Sequence, residues 1–332
     1  MKRQGHLIER IAEMENLRLA FWKVRRGKEE KQEVIRFCIN LEMNLVVLQK
    51  ELLDGRVVIG DYHCFPIFDS KERMICASSF RERVLHHALM NVCHDNFEHY
   101  QMYHSYASRK GKGVHAAIKQ AQINQHKYKW FLKMDVHKYF DSIDHEVLKR
   151  LLEKRFKDER LLGILCSIID SYSVVLKKGL PIGSLMSQYF ANYYLGIADH
   201  YLEEQLKAKA FVRYMDDVVV WDHEKEPLKV LQQQYQLFLE KELHLVLNPS
   251  CLNNAGQGLS FCGYRIFADK MHLSRVSKKR FIEKFNRYEC LWKATVWNDA
   301  TYQRHLLPLL ACTEYADCWG LRKSLIKEQN YK

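Results

Sequence analysis

The sequence predicts an α+β protein in which helices frame a few short strands. Two observations predict it. Apolar residues recur at helical spacing through residues 6–55 and return in several later stretches. Between them, the runs 56–80, 131–136, 211–221 and 259–267 are dense in β-branched and aromatic residues. The chain has 332 residues, 47% of them hydrophobic, which is enough for a sizeable core. A prior of about 150 residues per domain suggests two or three units. With no internal repeat, low-complexity stretch or long linker, they read as packed subdomains of one body.

In chain order, Leu7, Ile8, Ile11, Met14 and Leu17 mark a first helix, and Leu41, Leu45, Leu48 and Leu52 a second, which Gly55 ends. The basic patch Lys23, Arg25, Arg26 and Lys28 lies between them. Residues 56–80 read as strands, and 81–104 as a helix with many histidines. SRKGKGVH (108–115) is a Gly-broken basic loop before a helix that starts at Ala116. FLKMDV (131–136) is a short buried strand, followed by helices at 145–157 and 160–171 and a turn within 174–183. A helix runs from Ser187 to Lys207, two β-rich runs flank an acidic pair at 211–221, and 227–243 is helical. Residues 259–267 are strand-like. From 270 onward the chain is helical and basic, with thirteen Lys and Arg against six Asp and Glu, which suits a grip on a duplex backbone.

The whole chain carries 52 Lys and Arg against 40 Asp and Glu, a formal charge of +12. That balance calls for a polyanionic partner, either nucleic acid or an anionic membrane surface. No run of about 18 apolar residues spans a membrane. Glu9, Glu13 and Glu15 interrupt the apolar pattern of the N-terminus, so it does not read as a signal peptide. No membrane partner and a cytoplasmic location are therefore expected. The ten cysteines include no CxxC pair, so they read as buried free thiols rather than a zinc or redox site. His86, His87, His94, His99 and His104 read as ordinary surface or interface residues, because 94, 99 and 104 do not share a helix face.

Three carboxylates have the wrong neighbours for surface charges. Asp135 ends the run Phe131, Leu132, Met134. Asp216 and Asp217 sit between Phe211-Val212 and Val218-Val219-Val220. Adjacent aspartates in an apolar run repel and are costly to desolvate, and divalent cations compensate both penalties. Mg²⁺ takes carboxylates together with substrate phosphates. Two such ions about 4 Å apart can activate an attacking 3′-oxygen and stabilise a leaving pyrophosphate. Taken alone, an acidic hairpin tip is an equal alternative.

The surrounding motifs change that balance. RYMDDVVVW (213–221) resembles the catalytic hairpin of reverse transcriptases, and KMDVHKYFDSIDH (133–145) resembles the family's first metal-binding strand. FDSKERMICASSFRERVLHHAL (68–89) and SYASRKGKGVHAA (105–117) resemble two of its fingers motifs, and GLSFCGYRIF (258–267) its primer-supporting palm strand. The resemblance runs from about residue 15 to 325, in the family's order. At 180–192, LPIGSLMSQYFAN has Ile182-Gly183 followed by Ser187-Gln188 where most relatives have Gln-Gly followed by Ser-Pro. This pattern, with RKGKGVHAA and ENLRLAFWKVRRGK, is similar to the reverse transcriptases of diversity-generating retroelements. Two departures are Pro249-Ser250, in place of a lysine-containing segment, and Asp69-Ser70-Lys71, where many relatives have Pro-Lys.

The resemblance implies a right-hand polymerase. Fingers and N-terminal helices would occupy 1–130, an antiparallel palm sheet 131–268 with a fingers-like helical insertion at about 146–180, and a helical thumb 269–332. No RNase H, integrase or endonuclease domain is expected after the thumb. The implied reaction is RNA-directed DNA synthesis, error-prone at adenines, for mutagenic retrohoming. Asp135, Asp216 and Asp217, with the backbone of Val136, would hold two Mg²⁺ ions, with Mn²⁺ as a substitute. Lys71, Arg73, Arg109, Phe140 and Gln188 would meet the deoxynucleoside triphosphate beside Val136, Phe140 serving as the gate against ribose. Ile182, Gly183, Lys110 and Lys112 would act on template and fidelity, and Arg213 would meet the primer. Partners would be template RNA, the RNA/cDNA duplex and a small, basic, oligomeric accessory variability protein. One alternative is a defence-associated reverse transcriptase making cDNA in response to phage. A second, of another class, is a non-catalytic basic RNA-binding protein, which has no need of three carboxylates in apolar strands.

Overall fold

Four helices, not two, fill the N-terminal segment: α1 (Ile8–Ala12), α2 (Met14–Arg25), α3 (Gln32–Ile39) and α4 (Leu41–Asp54). The expected first helix breaks at Glu13, whose ψ of 132° leaves the helical region. Gly55 closes α4 as the sequence predicts. It takes the left-handed conformation, φ 69°, which a glycine reaches without a Cβ penalty, and returns its N–H to the Leu52 carbonyl. The structure, a computed structural model, describes residues 5–68 and 72–330.

Strands β1 (Tyr62–Phe68) and β2 (Glu72–Ser78) form an antiparallel hairpin, a two-stranded sheet of its own. Cys64 faces Cys76 in its register, and the two are joined as a disulfide. The expectation of free thiols is corrected there, and Cys38, Cys251 and Cys290 are exposed rather than buried. Spacing alone cannot reveal such a pair, because it depends on which residues the strand register sets opposite each other. Helix α5 (Phe80–Glu98) begins at an N-cap serine, Ser79. Ser79 accepts the Glu82 N–H, while the Glu82 carboxylate reaches back to the preceding loop and accepts the N–H groups of Gly60 and Asp61 at 3.0 and 3.1 Å. His86 is corrected too. It is 0% exposed on α5, and neither ring nitrogen has a hydrogen-bond partner among the described residues.

Helix α6 (Val114–Lys127) precedes β3 (Trp130–Asp135) and the short α7 (Tyr139–Ser142). Asp144 and Asp158 cap α8 (His145–Glu153) and α9 (Glu159–Asp170) by accepting first-turn N–H groups. Helix α10 (Leu185–His200) runs on as a π turn, Tyr201–Gln205. Then come β4 (Ala210–Tyr214), β5 (Asp217–Asp222), α11 (Lys225–Leu243) and β6 (Cys251–Asn254). The stretch expected as one strand at 259–267 is two, β7 (Leu259–Phe261) and β8 (Tyr264–Ile266), followed by β9 (Met271–Leu273). The tail is helical as predicted: α12 (Arg275–Lys293), α13 (Asp299–Ala311) and α14 (Trp319–Asn330).

The chain divides into two units of interleaved segments. The first holds Met1–Tyr103, Asp135–Leu206 and Gln233–Asn248, and the second His104–Met134, Lys207–Gln232 and Pro249–Lys332. In the first unit α2 packs along α5, and aromatic rings fill the core. Phe21 meets Phe37 and Phe80, and Phe97 meets Tyr193 edge-on at 5.4 Å. The second unit carries a four-stranded sheet in the order β4-β5-β3-β6 and a three-stranded sheet β7-β8-β9. Its core joins Ile118 and Ala121 of α6 to Phe131, Val212, Val219 and Trp221, each worth roughly 1.5–3 kcal/mol of burial for the large side chains. The Trp221 indole donates to Gln125 at 2.8 Å. The Gln125 amide in turn donates to the Ala255 and Ile266 carbonyls, so no polar group in this tie goes unmet.

Candidate active site

The second unit builds the acidic hairpin. β4 and β5 pair antiparallel from Ala210↔Trp221 to Tyr214↔Asp217, so Met215 and Asp216 form a two-residue turn. Met215 turns there with φ 59°, a left-handed conformation that a non-glycine residue adopts only where the surroundings hold it. Arg213 is part of that hold. It is 0% exposed, and its guanidinium donates to the Met215 carbonyl at 2.8 Å. Arg213, expected to meet the primer, is thus buried and engaged with the turn itself.

The strands carry Val218, Val219, Val220, Trp221 and Asp222 into the interior, and Asp217 sits where the apolar run begins. Its Oδ2 lies 2.8 Å from the ammonium of Lys133, a residue of β3, the strand next to β5 in the sheet. Lys133 also donates to the Ser260 carbonyl at 3.0 Å. Burial, and then the charge of Asp217, push the Cys262 thiol up, so it stays protonated in the turn between β7 and β8. β3 ends on Asp135. In the first unit Asn248 holds that residue twice. Its amide donates to Asp135 Oδ2 at 2.7 Å and its backbone N–H to the Asp135 carbonyl at 2.8 Å, while its side-chain oxygen is 3.0 Å from His137 Nδ1.

Among the described residues no three His, Cys, Asp or Glu side chains form a ready-made metal cage. Mg²⁺ does not require one. It binds through one or two carboxylates and completes its octahedron with waters and substrate phosphates. Carboxylate oxygens such as those of Asp217 are hard donors that fit that chemistry, and Asp217 already draws a cation in Lys133.

The other expected site residues divide between the units. In the second, the 105–113 loop is stitched to β4 by Tyr106 N–H to the Arg213 carbonyl and Arg213 N–H to the His104 carbonyl, each 2.9 Å. Within that loop Arg109 donates to the Ser105 carbonyl at 2.8 Å, Lys112 lies over the Tyr106 ring at 4.7 Å, and Lys110 is exposed. In the first, Val136 is buried and bridges to Leu247, while half-buried Phe140 accepts the Leu180 N–H at its carbonyl. Ile182 accepts the Cys76 N–H at 2.8 Å. Gly183, at φ 112°, lies so close to β2 that an added Cβ would come within 2.8 Å of Ile75. Gln188 and Arg73 are exposed, and Lys71 lies outside the described residues. Lys133 and Asn248 are the site residues that sequence reasoning missed. Lys133 had a signal, since it precedes Asp135 by two positions and so shares its strand face. Asn248 had none, because its partner lies 113 residues away.

A mixed helical and antiparallel-sheet body with paired aspartates at a hairpin turn is the architecture of nucleic-acid polymerases of one class. The family model for reverse transcriptase (RNA-dependent DNA polymerase) matches residues 66–266, and the chain belongs to that family of enzymes. Protein YkfC of Escherichia coli (strain K12) is 22% identical over 315 residues, covering 77% of this chain and 80% of that protein. Nuclear intron maturase 1, mitochondrial, of Arabidopsis thaliana is 33% identical over 100 residues, which are 30% of this chain and 14% of that protein. An apo telomerase structure from Candida Tropicalis aligns over 66% of this chain and 49% of that chain, with a TM-score of 0.49 and 14% identity. Among the described residues no helix is long and apolar enough to cross a membrane.

Proposed function

We propose that this chain copies a template RNA into cDNA, and that Asp135, Asp216 and Asp217 hold two divalent ions for that phosphoryl transfer. The observation that carries the reading is the juxtaposition of two neighbouring strands. β3 ends on Asp135 and β5 begins on Asp217, inside the segment that matches the family. Bound there, Mg²⁺, or Mn²⁺ in its place, would supply a Lewis acid for the 3′-hydroxyl and the leaving pyrophosphate. The protein's own part is positioning. Arg213 holds the turn, Asn248 holds Asp135, and Arg73, Arg109, Lys110 and Lys112 offer cations for phosphate oxygens. In this reading fingers, palm and thumb follow the boundaries 1–130, 131–268 and 269–332. Phe140 sets sugar choice, so Phe140→Ala admits ribonucleotides in primer extension. Unchanged discrimination against them would remove that role.

The finer reading is a mutagenic retroelement polymerase that errs opposite adenine and works with a small basic accessory protein. Its support is Ile182-Gly183 with Ser187-Gln188, since an apolar Ile182 offers no polar contact to an incoming sugar. The likeness to an intron maturase favours a second reading, copying of an intron-like RNA without a bias at adenine. The test is primer extension on RNA with four deoxynucleotides and Mg²⁺, without and with the accessory protein, followed by sequencing. Asp216→Ala/Asp217→Ala runs beside it. Metal-dependent cDNA with errors at adenine, lost in the variant, supports the mutagenic reading. Accurate cDNA supports the second. Equal synthesis by the variant refutes the assignment of the aspartates.

A further inference from the structure

Lys133 is an unusual neighbour for a carboxylate that binds divalent ions. Its ammonium lies 2.8 Å from Asp217 Oδ2, donates to the Ser260 carbonyl at 3.0 Å and stands 6.0 Å from the centre of the Phe261 ring. Carboxylate, carbonyl and ring face converge on one nitrogen, and each favours a positive charge at that point. The pair is not an exposed surface bridge, since the lysine and aspartate side chains keep only 27% and 23% of their exposure. All of these groups belong to the second unit. A cation held in that way repels any other cation that approaches the same carboxylate, and partial burial reduces the solvent screening that would soften the repulsion.

We propose that Lys133 is a positioning residue that makes divalent-ion binding at Asp217 conditional on the nucleotide. The inference rests on the reading of Asp217 as a metal carboxylate. Before nucleotide arrives, the ammonium satisfies Asp217 and disfavours a doubly charged ion beside it. A deoxynucleoside triphosphate brings several negative charges, which offset the ammonium and supply the phosphate oxygens that Mg²⁺ prefers to a full protein cage. The ion and the nucleotide therefore load together. The lysine also spares an acidic hairpin in an apolar sheet from standing uncompensated.

The test reads metal binding directly. Mn²⁺ is titrated into the full chain without nucleotide and followed by electron paramagnetic resonance. It is then titrated with a dideoxy-terminated primer–template and the matching deoxynucleotide, corrected for Mn²⁺ bound by nucleotide in buffer alone. Lys133→Met is expected to bind Mn²⁺ roughly five- to fiftyfold tighter than the parent without nucleotide, and to lose most of the gain that nucleotide brings. Lys133→Arg keeps the charge and the parent's weak binding. Lys133→Gln replaces Lys133→Met if thermal unfolding shows that the latter does not fold. Unchanged or weaker nucleotide-free binding in the folded variant overturns the proposal. Adding Asp217→Asn to Lys133→Met separates the two readings. If the tight binding survives it, Asp217 is not the ligand. If Asp217→Asn weakens binding while Lys133→Met changes nothing, Asp217 keeps its role and Lys133 loses the one proposed for it.

Discussion

Two hairpins of the molecule are built in opposite ways. β4–β5 is part of a four-stranded sheet, and its residues Phe211, Val212, Val219 and Trp221 are buried in the core of the second unit. β1–β2 stands as a sheet of two strands in the first unit, with β1 exposed along nearly its whole length, and a Cys64–Cys76 bridge joins its strands. An isolated two-stranded hairpin is marginal in water, so this one depends on its crosslink and on the anchors at its base. These include Cys76 to Ile182 and the bond between Tyr62 and Ser171. The contrast teaches where each kind of chemistry can sit. Carboxylates that must hold charge at fixed separation need a rigid floor, and a four-stranded sheet with a buried face offers one where a two-stranded hairpin does not.

The sharpest break between the two is catalytic. Asp216→Asn is expected to slow single-turnover extension by about ten-thousandfold, a barrier rise of about 5 kcal/mol, while Arg73→Ala on β2 changes the nucleotide KM by less than about tenfold. Comparable losses in the two would erase the distinction. The same contrast holds for packing. Phe211 is 1% exposed and Phe65 is 39% exposed. In urea unfolding, Phe211→Ala should therefore cost about 3–5 kcal/mol and Phe65→Ala below about 1. A smaller effect belongs to the bridge. Reducing it, or Cys64→Ser, should raise hydrogen exchange across β1 and β2 by an amount equivalent to about 2–3 kcal/mol and leave β4 and β5 unchanged.

The smallest effect per step is in pH. Burial, with a lesser contribution from His87, lowers the His86 pKa from 6.5 to about 3. The folded protein keeps this imidazole neutral, while the unfolded chain protonates it below 6.5. Stability is then full above pH 6.5 and falls as pH drops toward 3, by about 1 kcal/mol per pH unit between 6 and 4. His86→Leu should flatten that slope. A slope that persists in the variant would assign it to other groups.

The buried strands are legible in sequence because their apolar residues announce them, as in FLKMD and VVVW. β6 is not. Cys251-Leu252-Asn253-Asn254 has the composition of a loop and becomes a strand only by pairing with Lys133 through Trp130 of β3. β9 is likewise made by its register with β8. Arg213 reads as a surface cation beside an acidic tip. Its burial follows from the turn, which leaves the Met215 carbonyl for a guanidinium to meet from inside. His86 reads as one of several histidines on a helix, and only the packing of other helices against α5 identifies it as the buried one.

By itself the sequence determined the family, the buried strands and most of the long helices. Those features are local: a run of apolar residues, a motif within a few positions. The tertiary structure alone decided what compensates the charges. Lys133 meets Asp217 and Asn248 meets Asp135 across 84 and 113 positions of chain. Hydrogen bonds and ion pairs act over a few ångströms, and only the folding of distant segments brings such partners within that range.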